Sequence, residues 1–435
     1  MTYKEARKYI EDANQYGNEL SLEAITELLS RLGNPQDAIK VIHVSGTNGK
    51  GSTAAYIASI LSKEGYKVGR YISPAVFSYR ERIQITQKSN EYITKQGVAD
   101  TMEQIKTVCE SMLQEGLSHP TPFELETAMA FLYFVRQKVD FAVVEVGLGG
   151  RLDATNVMKQ PVCCVITSIS MDHMQYLGDT LSSIAKEKAG IIKQGVPMVT
   201  CNKAPEILEV IMEHCKEKEA ALTLADSDEA KVRSSTPDGT IFTFRGEEYE
   251  IKLLGRHQVT NAVTALQVIS VLRQQGYQVS ASAVHYGLTD TVWSGRFEVI
   301  GKNPYFIIDG AHNEDAAEQL AKAIDEYFGN HRLIFILGVF ADKDYRKILE
   351  LTASKADEIL TITPKNSRAL PSDELAKEAQ KYCPTVINAM TVEQAVRLAY
   401  EKASEEDVII AFGSLSFLGE LKKLLIYSID LDSED

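Results

Sequence analysis

The stretch VIHVSGTNGKGST, residues 41–53, constrains the fold of this chain more than any other part of the sequence. It reads as an apolar strand that enters a glycine-rich turn and continues into a helix, an arrangement typical of nucleotide-binding α/β domains. Such a turn surrounds one point with backbone N–H groups and the positive end of a helix, which suits a phosphate. We therefore predict a phosphate site at four loop residues, Gly49, Lys50, Gly51 and Ser52.

The loop departs from the general phosphate-binding pattern at two positions. That pattern has a glycine five residues before the Gly-Lys pair and a Ser or Thr directly after the lysine. Here Val44 and Gly51 stand at those positions. A tight strand-to-helix turn with an exposed Lys50 is the alternative, but three glycines, a lysine and Ser-Thr in this context favour a specialised phosphate loop.

Bulk composition excludes several classes of protein. The chain has 435 residues, which predicts two or three domains, and its net charge of −14 argues against nucleic-acid binding. Six cysteines show no metal-ligand or redox spacing, so reduced thiols are expected. The start lacks an apolar signal core, and no apolar run approaches the roughly 18 residues of a membrane span. We expect a cytoplasmic protein, monomeric and without a membrane or nucleic-acid partner.

Alternating strand and helix patterns predict an α/β fold with two domains. Residues 1–299 should form a doubly wound, P-loop ATPase-like domain, and residues 300–435 a Rossmann-like α/β domain. In the first, residues 240–244 and 249–251 alternate around a turn, which predicts an antiparallel hairpin within a small β insert. The acidic end, DLDSED, is expected to be frayed.

Polar residues follow the apolar strands of the first domain. Glu145 ends the strand FAVVEVG, so its carboxylate should project at the carboxyl edge of the sheet beside the phosphate loop. Mg²⁺ is the expected match for it, since that ion shares hard oxygen ligands between protein and nucleotide. Pairing with a neighbouring Lys or Arg is the alternative. Asp172 and His173 follow the next strand, where a lone histidine is often only a hydrogen-bonding residue.

In the second domain, too, polar residues directly follow apolar strands. YFIIDGAHN carries Asp309, His312 and Asn313 to the end of one strand, and DVIIAFGS carries Ser414 to the end of another. These edges should face the first domain. An Asp-Gly pair alone is equally typical of an ordinary turn.

Taken together, GTNGKGS, the DH and LG of DHMQYLG, EKAGI, SGRFE, DGAHN and FGSLS resemble the Mur ligase superfamily, and specifically its folylpolyglutamate synthase/dihydrofolate synthase branch. The resemblance runs in the same order from Gly46 to Ser416. It implies an ATP-dependent ligase that joins L-glutamate to the γ-carboxylate of tetrahydrofolate through an acyl phosphate. Dihydropteroate, giving dihydrofolate, is a further implied acceptor.

The resemblance also implies residue roles. A metal site would comprise Ser73, Glu145 and His173, although a Ser before Pro is ordinarily a turn former. Lys50, Lys188 and His312 would be catalytic, with Lys188 converted by CO₂ to N6-carboxylysine. This modification requires a neutral amine, whereas an ordinary helical lysine is a solvated cation. The other implied contacts are Asn261, Arg296 and Asp309 with ATP, His312 and Ser414 with the incoming glutamate, and Arg82, Thr121, Phe123 and Asp153 with the pterin.

Two other functions fit parts of this pattern. A peptidoglycan-building Mur ligase is expected to carry a nucleotide-sugar domain ahead of the loop, for which the first 45 residues are too few. A non-ligase ATP-binding switch would use the loop and Glu145 but leaves DGAHN and SGRFE unexplained. Phe123 as a plain core residue also remains an alternative to stacking on a pterin.

Overall fold

The computed structural model describes residues 1–17 and 21–426, so the end predicted to be frayed lies outside the described residues. The strands are β1 Lys40–Ser45, β2 Val68–Tyr71, β3 Ile83–Thr86, β4 Asn90–Tyr92, β5 Phe141–Glu145, β6 Cys163–Ile166, β7 Met198–Thr200, β8 Leu222–Leu224, β9 Lys231–Thr236, β10 Gly239–Phe244, β11 Glu247–Ile251, β12 Glu298–Lys302, β13 Tyr305–Ile308, β14 Leu333–Leu337, β15 Glu358–Ile362, β16 Val386–Met390 and β17 Val408–Phe412.

Helices connect most of these strands. They are α1 Tyr3–Asp12, α2 Glu23–Arg31, α3 Lys50–Lys63, α4 Lys95–Gln114, α5 Pro122–Arg136, α6 Met174–Leu177, α7 Leu181–Ala189, α8 Pro205–Glu217, α9 His257–Gln274, α10 Ala281–Thr289, α11 Glu314–Phe328, α12 Tyr345–Thr352, α13 Ser372–Ala379, α14 Val392–Lys402 and α15 Leu415–Ile426. Among the residues described, no helix combines the length and the hydropathy needed to cross a bilayer.

The first sheet has eight strands in the order β4-β3-β2-β5-β1-β6-β7-β8. From β2 to β8 all neighbours are parallel, and β3 and β4 add an antiparallel edge. The chain leaves β1 toward β2 on one side and later reaches β6 on the other, with β5 inserted beside β1. Ligands of open α/β sheets bind at such a switch of direction, beyond the carboxyl ends of the strands.

Both faces of this sheet are covered, which explains why its central strands are apolar throughout. On one face, Ile42 and Val44 pack in a core with residues of α3, α9 and α10. On the other face, Val41 and Tyr71 pack with α1, α2, α4 and α5. The doubly wound α/β architecture predicted from the sequence is confirmed.

The small β insert is a three-stranded antiparallel sheet in the order β11-β10-β9. Thr240 pairs with Ile251 and Phe244 with Glu247, so the hairpin predicted from alternation is confirmed. Phe242 and Phe244 point from β10 into the core that also holds α9. The insert is therefore packed onto the first sheet's helical layer.

The second sheet has six strands in the order β12-β13-β17-β14-β15-β16, parallel except for β12. Its faces pack in two clusters, one with α11, α12 and α13 and the other with α14 and α15. Ile300 lies within β12 and so within this sheet. The division of the chain into domains near that residue stays a prediction.

Candidate active site

The phosphate loop connects β1 to α3 and requires glycine at two positions. Gly46 has φ +148°, and a Cβ there would collide with the side chain of Thr167. Gly49 has φ +83°, and a Cβ there would collide with the amide oxygen of Asn261. Positive φ favours glycine, and the close approach excludes any larger residue. The loop therefore brings its backbone N–H groups to the N-terminus of α3, which begins at Lys50.

Two lysines converge on the carbonyl of Gly46. Lys50 Nζ donates to the carbonyls of Gly46 and Thr47 at 3.1 Å each, and Lys188 Nζ donates to Gly46 at 2.7 Å. Lys188 comes from α7 and is only 4% exposed. Burial, and then the positive charge of Lys50, lower the pKa of Lys188 to about 7. The sequence alone gave no sign of this burial, and the structure supplies the neutral amine that carbamylation requires.

Glu145 ends β5 beside the loop and is 5% exposed. Its nearest cation is Lys50, whose Nζ lies 4.0 Å from Oε1, at the limit of an ion pair. Burial raises the pKa of Glu145, while Lys50 and Arg296 oppose the shift and the backbone N–H of Ser73 donates to the carboxylate. Glu145 and Ser73 therefore lie together, as predicted. Protein cations neutralise the carboxylate of Glu145 only partly.

The donor set around Glu145 fits Mg²⁺. Within the described ranges, no group of three or more His, Cys, Asp or Glu could hold a metal by itself. Mg²⁺ typically takes one or two carboxylates and completes its shell with phosphate and water. A single buried carboxylate beside a phosphate loop is therefore sufficient chemistry for that ion.

His173, the third residue of the predicted metal set, comes from the segment that follows β6. It has φ +50° at the start of α6, and its side chain is 45% exposed. Its ring lies near Asp172, with 3.9 Å between Nε2 and Oδ2. Burial lowers the pKa of His173, and Lys50 and Lys188 lower it further against the opposing charge of Asp172. Its assignment as a metal ligand stays a prediction.

Asn261 and Ser52 are linked through a residue that sequence reasoning missed. Gln258 accepts from Asn261 Nδ2 at 3.0 Å and its own Nε2 lies 3.4 Å from Ser52 Oγ. All three side chains are buried. One turn of α9 therefore fixes Asn261 against the loop at Gly49 and holds the first turn of α3.

Asp309 and Arg296 lie close together beside strands β12 and β13 of the second sheet. Asp309 follows β13 and accepts N–H groups from Phe297 and Ala311, each at 2.7 Å. Burial raises the pKa of Asp309, and Arg296 opposes this. A Cβ on Gly310 would collide with the Arg296 guanidinium, so this glycine makes room for the arginine. The two residues predicted to contact ATP are thus brought together.

His312 and Ser414 also lie at this edge. His312 Nδ1 is 2.7 Å from the carbonyl of Gly310, which fixes the proton on Nδ1 and leaves Nε2 as an acceptor. Burial lowers the pKa of His312 to about 4, so the ring is neutral at pH 7. Ser414 is buried, with its Oγ 2.9 Å from Ser416 Oγ.

Side chains from the second sheet reach the phosphate loop directly. Asn48 Nδ2 donates to Asp315 Oδ2 at 2.6 Å, and Asn313 Nδ2 donates to Asp172 Oδ2 at 3.2 Å. Lys343 Nζ lies 2.9 Å from Asp172 Oδ1, with both side chains largely buried. These contacts agree with the expectation that the two edges face each other. Sequence reasoning missed Asp315 and Lys343, although Lys343 follows β14 among polar residues where a functional side chain is typical.

The four residues predicted to face a pterin line one cavity of about 510 Å³, which Ser73 and Pro74 also line. The members of this set are Arg82, Thr121, Phe123 and Asp153. Arg82 pairs with Glu126 at 3.1 Å, and Phe123 stacks 6.1 Å from the ring of Tyr71. Asp153 accepts from the backbone N–H of Leu148 at 2.8 Å. Several of these polar groups are thus engaged within the protein, and their contact with a pterin stays a prediction.

Comparisons with known proteins identify the class. Residues 89–269 match the Mur ligase middle domain, and residues 295–415 match the Mur ligase glutamate ligase domain. The Bacillus subtilis dihydrofolate synthase/folylpolyglutamate synthase is 36% identical, with 97% of this chain and 99% of that protein covered. The corresponding Escherichia coli protein is 30% identical over 96% and 94% of the two chains.

Solved structures with a similar fold belong to the same class of protein. The folylpolyglutamate synthase of Thermotoga maritima has a TM-score of 0.84 at 34% identity, covering 98% of this chain and 97% of the other. E. coli FolC in complex with DHPP and ADP has a TM-score of 0.85 at 29% identity, covering 98% of each chain. With its phosphate loop, paired α/β sheets and these relatives, the chain is an ATP-dependent amide ligase of the Mur ligase type. It belongs to the folylpolyglutamate synthase/dihydrofolate synthase family.

Proposed function

We propose that this ligase adds L-glutamate to the γ-carboxylate of tetrahydrofolate, and that it also accepts dihydropteroate to give dihydrofolate. The observation that carries the proposal is the contact of the phosphate loop, through Asn48, with Asp315 in the first turn of α11, the helix that follows Asp309 and His312. Glu145 lies beside the same loop, and the cavity around Phe123 reaches Ser73. Relatives named for both reactions support it. A reduced folate carries the carboxylate, and the second sheet supplies the glutamate site.

The reaction has two steps. A carboxylate oxygen of the acceptor attacks the γ-phosphorus of ATP, the bond to the β-phosphate oxygen breaks, and ADP leaves. The amine of glutamate then attacks the acyl carbon, the bond to the phosphate oxygen breaks, and phosphate and a proton are released. Because little covalent chemistry falls to the protein, its task is to position the reactants and offset charge.

The phosphate loop would hold the triphosphate. The backbone N–H groups of Gly49, Lys50 and Gly51 lie at the N-terminus of α3, a position that favours a bound anion. Lys50 would exchange its bonds to the Gly46 and Thr47 carbonyls for the β- and γ-phosphates. Asn261 lies against the loop, and Arg296 and Asp309 would complete the nucleotide site from the other side.

Glu145 and Ser73 would hold Mg²⁺, with His173 as the third ligand of the proposed set. The ion, when bound, neutralises charge on the transferring phosphoryl group. Glu145 suits this role because it is buried and its closest protein cation is 4.0 Å away. Serine and carboxylate oxygens are hard ligands of the kind that Mg²⁺ prefers.

Lys188 would act as N6-carboxylysine. The amine is buried beside Gly46, and its pKa is lowered to about 7 by burial and by Lys50. Carbamylation converts this amine, whose charge Lys50 opposes, into an anion that attracts Lys50. The carbamate could then fix Lys50 or a metal at the phosphate site.

His312 and Ser414 would bind the incoming glutamate. With its proton on Nδ1, the neutral ring of His312 presents Nε2 as an acceptor for the N–H of the amine. A protonated ring could not do this, since both nitrogens would be donors. The contacts of Asn48 and Asp172 with the second sheet hold this edge against the phosphate loop.

The test is phosphate release and product mass with MgATP and L-glutamate, in parallel with tetrahydrofolate, with dihydropteroate and with neither. Product with both acceptors and no phosphate release without an acceptor is expected. Lys50→Ala should abolish ligation in a folded protein, whereas Lys95→Ala, on an exposed lysine of α4, should not. Phosphate release independent of glutamate and folate would instead indicate a switch-like ATPase and refute the proposal.

A further inference from the structure

A second cavity, of about 370 Å³, shares Ser73 and Pro74 with the cavity around Phe123. It lies between α3 and the corner of the first sheet formed by β2, β3 and β4, and the segment 290–296 closes it. Glu145, Ser73 and Arg296, three residues of the site described above, are among its lining residues. The cavity is therefore continuous with the place where the acceptor carboxylate would be phosphorylated, and no role above accounts for it.

Arg70 lines this cavity as a buried cation that lacks a carboxylate partner. It is 5% exposed, and its guanidinium donates to Gln84 and lies 5.0 Å from the centre of the Trp293 ring. Across the part of the chain that the structure describes, no carboxylate forms an ion pair with it. Glu81, a nearby acid, accepts backbone N–H groups of Phe77 and Ser78 instead. The charges of Glu145 and Glu81 act on Arg70 only from beyond ion-pair distance. A buried guanidinium that no carboxylate contacts is costly, so a bound anion would complete its pairing.

Two N–H donors at this position have no acceptor. Arg70 Nε and Trp293 Nε1 are both buried from solvent, and neither has a hydrogen-bond partner. A buried donor without an acceptor costs about 1–3 kcal/mol, and native structures rarely leave two side by side. One carboxylate offers two oxygens, enough to accept both N–H groups and to neutralise the guanidinium.

The position of Arg70 along the sheet matches the length of a glutamyl group. Tyr71 pairs with Val144 in register, so Arg70 lies two residues, about 7 Å, below the level of Glu145. The α- and γ-carboxylate carbons of glutamate are four carbon–carbon bonds apart, about 5 Å when extended. A γ-carboxylate held near Glu145 and Ser73 therefore places its α-carboxylate within hydrogen-bonding reach of the Arg70 level.

We propose that this cavity binds the α-carboxylate of the acceptor's terminal γ-glutamyl group, through Arg70 and the indole N–H of Trp293. Dihydropteroate has one carboxylate and no glutamyl group, so it does not use this subsite. Arg70 is thus a specificity-determining residue that favours glutamylated acceptors. The inference rests on the proposed function, since it concerns the acceptor of that ligation.

The test compares acceptors in three variants. Arg70→Met removes the charge, Trp293→Phe keeps the ring and removes one N–H, and Arg136→Met removes an exposed arginine far from the cavity as a control. We expect Arg70→Met to raise the KM for tetrahydrofolate at least tenfold and Trp293→Phe to raise it several-fold. The ratio of kcat/KM for dihydropteroate to that for tetrahydrofolate should rise by the same factors. The control should leave the ratio unchanged.

Binding provides a readout that does not depend on turnover. The probe is the dipeptide L-γ-glutamyl-L-glutamate, titrated calorimetrically into protein that holds MgADP. Wild type should bind it at least tenfold more tightly than Arg70→Met. Equal binding by the two proteins, or no binding by wild type, would overturn the inference.

The two proposals fail in different ways. If wild type ligates neither acceptor, the proposed function fails, and the dipeptide titration still decides the subsite. If wild type ligates both and Arg70→Met lowers both activities by equal factors, Arg70 is only structural and the subsite is refuted. Trp293→Phe covers the case in which Arg70→Met unfolds, because it keeps an aromatic ring at this position and leaves Arg70 in place.

Discussion

Replacement of Lys188 by methionine tests the least expected feature of the site. The pKa of Lys188 is lowered to about 7, so about three quarters of the amines are neutral at pH 7.5, against about one in a thousand for an ordinary lysine. Only the neutral amine can attack CO₂, with loss of one proton and formation of a carbamate. The structure therefore raises the reactive fraction several hundredfold.

Two assays follow this modification. Wild type equilibrated with ¹³C-bicarbonate should show one carbamate carbon resonance that Lys188→Met lacks and that Lys186→Met, on the exposed face of α7, retains. Ligation should fall when CO₂ is removed and recover when bicarbonate is restored. Lys188→Met should lose about a hundredfold or more in kcat, since the charge beside Lys50 is lost. Absence of the resonance together with full activity of Lys188→Met would refute this reasoning.

Stability gives an independent measure of the same amine. The folded pKa lies below the unfolded value, so the unfolded chain binds more protons between about pH 7 and pH 10.5. As pH rises through this window, Lys188 therefore increases the free energy of unfolding by up to about 1.4 kcal/mol per pH unit. Below about pH 7 it contributes no such increase. In CO₂-free buffer, Lys188→Met should show a shallower rise in unfolding free energy with pH. Parallel curves would mean that the amine is not held neutral.

Three further predictions concern other parts of the site. Glu145→Gln should raise the Mg²⁺ concentration needed for half-maximal ligation at least about tenfold, read from a metal titration, and an unchanged requirement would remove Glu145 from the metal site. Lys343→Met should cost about 1–3 kcal/mol of unfolding free energy at pH 7 because it removes the lysine that pairs with the largely buried carboxylate of Asp172. Burial opposes ionisation of Asp172, but Lys343 outweighs it and lowers the pKa of that carboxyl, so the difference from wild type should shrink below about pH 4. Gly49→Ala should weaken MgADP binding in calorimetry far more than Gly65→Ala, since both have positive φ but only Gly49 faces a collision; equal effects would contradict the loop geometry.

Local patterns were sufficient wherever the chemistry depends on neighbours in sequence. The strand, glycine turn and helix around Lys50 could be predicted because φ preferences and apolar periodicity are encoded within a few residues. The position of Glu145 followed from the rule that parallel strands end at one edge. The hairpin of β10 and β11 followed from strict alternation. These features are confirmed, while the roles assigned to the side chains stay predictions.

Features that arise from distant pairings could not be predicted in this way. Lys188 lies in a charged helical segment, and nothing in that segment shows that α7 packs its lysine against Gly46. Arg70 looks like an ordinary polar residue of a short strand, since its neighbour Trp293 is far along the chain. Burial of a charge is set by what packs over it, and this information lies in the tertiary contacts alone.

The contacts of Asn48 show why a ligase of this type needs both sheets at the loop. Asn48 is part of the phosphate loop, and its side chain donates to Asp315 at the start of α11. The backbone that would hold the triphosphate is thus fixed from the side that would bind glutamate. If the sheets separate, the loop loses this partner and Asp172 loses Lys343 at the same time. An acyl phosphate must react with the amine before water hydrolyses it. A phosphate loop braced by the side that would bind glutamate would couple the formation of that intermediate to the presence of the surface that consumes it.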